Sequence, residues 1–129
     1  MKYLGVDYGS KRVGFSVSDS EGRIAFPRGT VPNDAFLMPT IMKLISEEKI
    51  TAVVVGDTRA LNGGENPVTK EAEDFIGKLA KASGLPVLPA FEGWSSIEAS
   101  RYAPEGAAKS DAAAAAVILQ RFLDMNASR

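Results

Sequence analysis

One uninterrupted apolar run, TAVVVG at residues 51–56, restricts the possible folds of this chain more than any other segment. A strand with one solvated face alternates apolar and polar residues, whereas Ala52 to Val55 are apolar without a break. Such β-branched runs are typical of a central parallel strand that is covered on both faces. The run therefore predicts an α/β protein in which helices cover both faces of a sheet.

The first 32 residues show a different periodicity. Apolar residues alternate in LGV at residues 4–6 and in VGFSV at residues 13–17, and the polar segment DSEGR leads into a third run, RIAFPRGTV. Alternation between polar turns predicts a three-stranded antiparallel meander. Pro27 lies inside the third run. Because proline cannot donate a hydrogen bond within a sheet, this strand is expected at the sheet edge.

Helix and strand patterns alternate after the meander. Apolar residues at helical spacing predict a first helix over about residues 38–48. A second helix is predicted behind Asn66 as N-cap and Pro67 as first helical residue, and Gly84 should end it. LPVLPAFE at residues 85–92 has the length and composition of another short strand.

Two helices are predicted in the last third of the chain. Ser95 and Glu98 form a capping-box pattern for a short helix through Tyr102, and Ser110 is a suitable N-cap for the last helix. The alanine run 112–116 indicates that this last helix packs closely on the sheet. Its predicted inward face carries Asp111, Ala114, Ala115, Ile118, Leu119 and Phe122. We therefore expect one domain over residues 1–129, with a mixed five-stranded sheet and helices on both faces.

Cysteine and histidine are both absent. Their absence excludes disulfides, thiol nucleophiles, zinc centres built on Cys or His, and Ser-His-Asp or Cys-His hydrolases. Hydrolysis would have to use carboxylates, lysine, tyrosine or a bound hard cation. No apolar stretch reaches the roughly 18 residues of a membrane span, and the N-terminal residues lack the pattern of a signal peptide. We expect a soluble cytoplasmic protein without a membrane partner.

Three acidic residues stand at the ends of predicted elements. Asp7 ends the first strand, Glu92 ends the last, and Asp111 lies in the first turn of the final helix. Each alone has a structural explanation, as a turn residue, a surface residue and a partner of the helix dipole respectively. Together, three carboxylates from separate elements are the oxygen ligands that Mg²⁺ prefers. They are candidate metal ligands at the carboxyl edge of the sheet.

The segment LGVDYGSKRVGFSVSD, residues 4–19, resembles the first motif of the YqgF/RuvX family. The family's pattern continues in order through AVVVG, the NGGEN loop, Phe75, SSIEA and D-x-x-A-A-x-x-I-L from Asp111 to Leu119. The resemblance thus covers nearly the whole chain. Members are described as Holliday junction resolvases or as nucleases of pre-16S ribosomal RNA, and they have a ribonuclease H-like fold. The resemblance implies that fold here.

The same resemblance implies roles for particular residues. The family's acidic positions, implied to be catalytic and to bind Mg²⁺ or Mn²⁺, are Asp7, Glu92 and Asp111. Its polar flanks, implied to contact nucleic acid, are Lys11, Arg12, Ser95 and Ser96. The implied activity is that of a divalent-metal-dependent nuclease on structured nucleic acid, with processing of the 5′ end of pre-16S rRNA favoured. The cations would lower the pKa of an attacking water and stabilise the leaving oxygen.

The chain departs from the family's pattern at two places. Arginine usually follows the family's glutamate, whereas Gly93 and Trp94 follow Glu92, and the central strand continues into Asp57 and Thr58 rather than an apolar residue and proline. Two alternative functions therefore stay open, a Holliday junction resolvase on branched DNA and a catalytically weakened nucleic-acid-binding protein. A resolvase is expected to act as a homodimer, whereas RNA-end processing requires only a monomer.

A different superfamily shares the first motif. The pattern G-x-D-x-G also resembles the phosphate-binding strand of actin and the sugar kinases, where the acid holds a metal-bound nucleotide. Those proteins close two such lobes around the nucleotide, and 129 residues supply one. Chain length therefore argues against an ATP-handling role.

Charges near the first strand suggest additional contacts. The net charge is only -1, so bulk charge does not indicate nucleic-acid binding. Lys11 and Arg12, in the turn after Asp7, are nevertheless candidates for phosphate contacts, and Arg23 and Arg28 are considered as an extension of the same basic patch. Asp57 is a candidate fourth carboxylate of the acidic site, with a turn or cap residue as the simpler alternative.

Overall fold

A computed structural model of the chain describes residues 1–9, 11–56, 67–89 and 111–127. The side chains of residues 67–70, 89, 111, 126 and 127 lie outside that description. The strands are β1 (Tyr3–Tyr8), β2 (Arg12–Ser18), β3 (Ala25–Pro32), β4 (Ala52–Gly56) and β5 (Val87–Pro89), and the helices are α1 (Leu37–Glu48), α2 (Pro67–Ser83) and α3 (Asp111–Ala127).

The five strands form one mixed sheet in the order β3-β2-β1-β4-β5. Strand β2 pairs antiparallel with β1 and β3, whereas β4 pairs parallel with β1 and β5. The predicted meander and the predicted central strand are both confirmed. Pro27 is confirmed on edge strand β3, where a register shift lies opposite Phe15 and Ser16. Proline and a bulge both reduce the pairing capacity of such an edge.

The sheet has helices on both faces, as TAVVVG predicts. Side chains of β1, β2 and β4 that alternate towards one face form a core with α1 and α2, including Leu4, Val6, Ile41, Phe75 and Leu79. The opposite face packs on α3 through Val54, Ile118, Leu119 and Leu123. All five residues of β4 are buried. When a strand is covered on both sides, any polar side chain in it would be buried and would need a hydrogen-bond partner. This explains why β4 consists of apolar residues and glycine.

Helix boundaries follow the predicted turn chemistry closely. Helix α1 begins at Leu37, so Pro39 lies in its first turn, where a missing N–H is tolerated. Gly84 ends α2 with a φ of 69°, and its N–H donates to the carbonyl of Ala80. The predicted N-cap Asn66 and the short helix from Ser95 lie outside the described residues.

Helix α3 packs very closely on the sheet, as the alanine run predicts. A Cβ at Gly5 would lie 2.7 Å from the Leu119 Cβ and 3.0 Å from the Ala115 carbonyl oxygen. The predicted inward face needs a correction, because Ala114 and Phe122 are only half-buried. The buried positions of α3 are Ala112, Ala115, Ile118, Leu119 and Leu123. Because α3 approaches the sheet closely at Gly5, these positions face the sheet, whereas the larger Phe122 ring lies at the edge of the contact between helix and sheet.

The side chains of Ser16 and Gln120 make polar contacts that hold α3 against the meander. The Ser16 hydroxyl on β2 donates to the carbonyl of Ala115. The Gln120 side chain accepts from the Ala25 N–H and donates to the Arg23 carbonyl, as a neighbouring strand would. These contacts determine the direction of α3 across the sheet. None of the described helices is both long and apolar enough to cross a membrane.

Candidate active site

Asp7 is a buried carboxylate near the carboxyl end of β1. Its residue is only 7% exposed. In the sheet it is paired with Gly14 on β2 and with Gly56 on β4. Paired residues on neighbouring strands lie on the same face of the sheet. Because both partners are glycines, Asp7 has the only side chain among these three paired positions.

The two glycines determine what surrounds the Asp7 carboxylate. Neither neighbouring strand places a side chain next to it, so groups at the carboxyl edge can approach. On the β4 side the space is used by α3, since a Cβ at Gly56 would lie 2.8 Å from the Ile118 side chain. Gly56 thus allows α3 to pack beside Asp7. A polar residue in such a position with no side-chain neighbour in its row is typical of a site rather than of a packed core.

Helix α3 runs antiparallel to β1. Phe122 lies against Tyr3 at the start of β1, with ring centroids 5.7 Å apart, whereas Leu119 and Ala115 lie over Gly5 in its middle. The helix therefore begins, at Asp111, towards the end of β1 that carries Asp7. The amino end of a helix carries partial positive charge and unpaired N–H groups, which favours anions at this edge.

Lys11 and Arg12 of the predicted basic flank lie within the described residues. Arg12 begins β2 and alternates to the same face as Gly14, so it is diagonal to Asp7, at the roughly 7–8 Å spacing of diagonal sheet neighbours. Lys11, just before it, is exposed. The suggested extension of the patch is wrong. Arg28 is bound to Glu48 at 3.1 Å and Arg23 lies in the hairpin at the other end of β2.

Asn33 is a structural contact that sequence reasoning missed. Its side-chain amide donates to the Gly9 carbonyl at 2.7 Å, and its backbone N–H donates to the Lys11 carbonyl at 2.9 Å. Both bonds hold the turn between β1 and β2, directly after Asp7. An Asn between a strand and a helix is the available sequence signal, although its partners are 22 and more residues away along the chain.

The other predicted site residues are placed as follows. Asp111 is the first residue of α3, and its side chain lies outside the description. Glu92, Ser95, Ser96 and Asp57 lie outside the described residues. Within the described ranges, no group of three potential metal-ligating side chains comes together. The three-carboxylate site therefore stays a prediction, with Asp7 its described member.

A family model described as "RuvX: Holliday junction resolvase" matches residues 1–125. The chain belongs to the RuvX family. That assignment agrees with the resemblance seen in the first motif and in the motif that begins α3. It also decides against the actin and sugar-kinase alternative. Because the match runs from β1 through α3, both Asp7 and Asp111 lie within it.

Curated relatives of this RuvX chain carry nuclease names. A protein of Oleidesulfovibrio alaskensis is 37% identical over all of this chain and 96% of its own length. A protein of Nitratidesulfovibrio vulgaris strain Miyazaki F is 36% identical over all of this chain and 97% of its own length. Both are provisionally named pre-16S rRNA nucleases. The chain is thus a full-length match to members of a nuclease family.

Solved structures share the architecture of this RuvX chain. Thermus thermophilus RuvC in complex with a Holliday junction substrate has a TM-score of 0.64 at 13% identity, covering 98% of this chain and 96% of that chain. The fowlpox virus Holliday junction resolvase has a TM-score of 0.58 at 13% identity, covering 97% and 99%. At such identities the likeness concerns the fold alone. The fold is the ribonuclease H-like one that the sequence predicts.

Proposed function

We propose that this protein is a divalent-metal-dependent nuclease that hydrolyses phosphodiesters of structured RNA and processes the 5′ end of pre-16S rRNA in the cytoplasm. The observation that carries the proposal is the Asp7 carboxylate, buried at the carboxyl edge of the sheet between two glycines. The RNA substrate is supported by the names of the curated relatives. Nothing in this reading requires the histidine or cysteine that the chain lacks.

The donor chemistry at Asp7 fits a hard divalent cation. Carboxylate oxygens are preferred ligands of Mg²⁺, and Asp7 places such a group at the carboxyl edge of the sheet. Glu92 and Asp111 are the proposed further ligands. Bound cations would lower the pKa of an attacking water and stabilise the leaving oxygen. Asp7 would bind the ion, and Arg12 and Lys11 would hold the nucleic-acid phosphates beside it.

The decisive experiment measures cleavage by the wild type and by Asp7→Asn. The substrates are a 16S rRNA precursor with its 5′ leader and a synthetic four-way DNA junction, each with millimolar Mg²⁺ or with EDTA. We expect cation-dependent cleavage of the precursor, reduced by about a hundredfold or more in Asp7→Asn, as when a transition-state-stabilising group is removed. Glu21→Gln, a change at an exposed hairpin acid, is the matched control. Wild-type cleavage by Asp7→Asn would refute the proposal.

A second candidate function is Holliday junction resolution, which the description of the matching family favours. The same assay separates the two. Selective cleavage of the four-way junction, together with a homodimer in solution, would support the resolvase. Tight binding of either substrate without any cleavage would support the third reading, a catalytically weakened nucleic-acid-binding protein. The sequence feature that favours this reading is Gly93, which stands where the family usually has arginine.

A further inference from the structure

A cavity of about 290 Å³ lies on the opposite face of the sheet from the Asp7 carboxylate. It is bounded by the end of β1, the start of α1 and the middle of α2. Strand alternation creates this arrangement, because Tyr8 follows Asp7 and must project to the other face. At this size, just below the roughly 300–1,000 Å³ of small-molecule pockets, the cavity suits one or two side chains rather than a nucleotide.

Tyr8 forms the inner wall of the cavity together with Phe75. The two rings stack with centroids 4.7 Å apart and planes at 27°. Tyr8 is 8% exposed, so it is more than nine-tenths buried. Within the described part of the chain its hydroxyl has no hydrogen-bond partner. The Tyr8 oxygen is not one of the described buried atoms that lack a partner, so it is open to the cavity, where it can form a hydrogen bond with water or with a ligand.

The rim of the cavity is acidic. Asp34, Glu71 and Asp74 contribute three carboxylates, against the single ammonium group of Lys78. Among the described residues, none of these four forms an ion pair. Asp34 Oδ1 accepts from the Phe36 N–H, which orients that carboxylate at the start of α1. The net negative rim attracts cations and repels phosphates.

We propose that this cavity binds an arginine side chain from a basic segment of a partner protein. A guanidinium group offers planar donors to carboxylates and to the Tyr8 oxygen, and it is more weakly hydrated than an ammonium group. Its aliphatic stem suits the apolar part of the wall, where Leu37 and Met38 lie. The surface is thus a protein-docking site, separate from the nucleic-acid edge at Asp7.

Asn33 connects this site to the candidate active site. It lines the cavity and also holds the Gly9 carbonyl in the turn that follows Asp7 and Tyr8. A partner bound here would therefore be in contact with the strand end that carries Asp7. The docking proposal itself does not depend on nuclease activity, since it can be tested without nucleic acid.

The test is an NMR titration of the full chain with the peptide acetyl-Gly-Arg-Gly-Arg-Gly-amide. We expect saturable shifts at millimolar peptide, centred on the amides of Tyr8, Asp34 and Asp74. A peptide with citrulline in place of each arginine keeps the shape without the charge and should not bind. Glu71→Gln and Asp74→Asn should each weaken binding by about two- to fivefold, the range of exposed charge pairs. Tyr8→Phe should weaken it while keeping the ring stack.

Glu73→Gln is the matched control, because Glu73 is exposed on the same helix and does not line the cavity. Its affinity should equal that of the wild type. The proposal is overturned by absence of saturable shifts, by equal binding of the citrulline peptide, or by an equal effect of Glu73→Gln and Asp74→Asn. Shifts of the same amides by a single-stranded RNA oligomer would assign the cavity to nucleic acid instead.

Discussion

The hydroxyl of Ser16 donates a 2.8 Å hydrogen bond to the carbonyl of Ala115, 99 residues later in the chain. Ser16 is fully buried on β2, one step along the α3 face from Gly14, the residue paired with Asp7. Ala115 lies one helical turn after Asp111. The bond therefore connects β2, the strand beside Asp7, to the first turns of α3, which begins at Asp111.

Ser16→Ala removes this bond without changing the shape of the core. We expect a loss of about 0.5–1.5 kcal/mol in the free energy of unfolding, the usual net value of one intramolecular hydrogen bond. Urea denaturation measures it, and amide exchange of the first turns of α3 should accelerate. Ser46→Ala, at an exposed position of α1, is the control and should be close to neutral. Equal stability of both variants would contradict the role of the bond.

Gly5→Ala tests the close packing of α3 on β1. The added methyl group would meet the Ser16 hydroxyl, the Leu119 Cβ and the Ala115 carbonyl. We expect destabilisation of about 1–3 kcal/mol from overpacking. Gly29→Ala on β3 is the matched control, because a Cβ there meets nothing within 4 Å. Thermal unfolding of the two variants compares them directly, and a stable Gly5→Ala protein would show that α3 can move away at little cost.

Glu48 is expected to contribute to the acid sensitivity of the fold. The pKa of the Glu48 carboxyl lies below its ordinary value of 4.5, mainly because Lys2 donates a hydrogen bond to it. Burial acts in the opposite direction, and the positive charges of Lys2 and Arg28 lower the pKa further. A group with a lowered folded-state pKa stabilises the protein above its unfolded-state pKa. That contribution is lost as the pH falls through the folded-state value.

Glu48→Gln should therefore reduce stability at pH 7 by up to about 1 kcal/mol per ion pair lost. As the pH falls below the lowered folded-state pKa of Glu48, the variant and the wild type should converge, because protonated Glu48 no longer differs in charge from glutamine. Urea denaturation across pH 3–7 measures the difference. Some acid sensitivity should persist in the variant, since the backbone N–H groups of Arg23 and Ile24 also lower the pKa of Asp19. A pH-independent difference would refute this assignment.

Lys11 and Arg12 are predicted to contact nucleic-acid phosphates. A variant that lacks one phosphate contact releases fewer counterions when it binds. The slope of log affinity against log salt concentration should therefore become shallower by about one unit per residue removed. The measurement compares RNA binding by Lys11→Ala, Arg12→Ala and the wild type over a range of salt. Arg23→Ala, in the distant hairpin, is the control. An unchanged slope in both variants would contradict the predicted phosphate contacts.

Asp7→Asn is predicted to lose stabilisation by divalent cations. Three carboxylates near one another repel, so the wild type should gain thermal stability when millimolar Mg²⁺ or Mn²⁺ is added. The variant keeps the shape of the side chain and removes its charge, so its Tm should respond much less. Differential scanning calorimetry with and without cation measures this. The same cation response in both proteins would show that Asp7 is not a ligand.

The sequence by itself determined most of the elements and their neighbours. The unbroken run of β4 predicted a strand covered on both faces, and Pro27 predicted the edge position of β3. Both are local properties, since periodicity and the missing proline donor act wherever the segment lies. The first motif and the Asp111 motif were also sufficient to indicate the RuvX family. Asp7 could be selected as a candidate because an acid that ends an apolar strand is rare in a core.

Only the tertiary structure decided what surrounds Asp7. Register placed Gly14 and Gly56 beside it, and packing placed the amino end of α3 towards it. The stacked Tyr8 and Phe75, and the hydrogen bonds from Asn33 to the β1–β2 turn, were equally invisible in the sequence. Each of these contacts joins residues that are distant along the chain. Their geometry depends on strand register and helix position, which result from packing the whole core rather than from any local pattern.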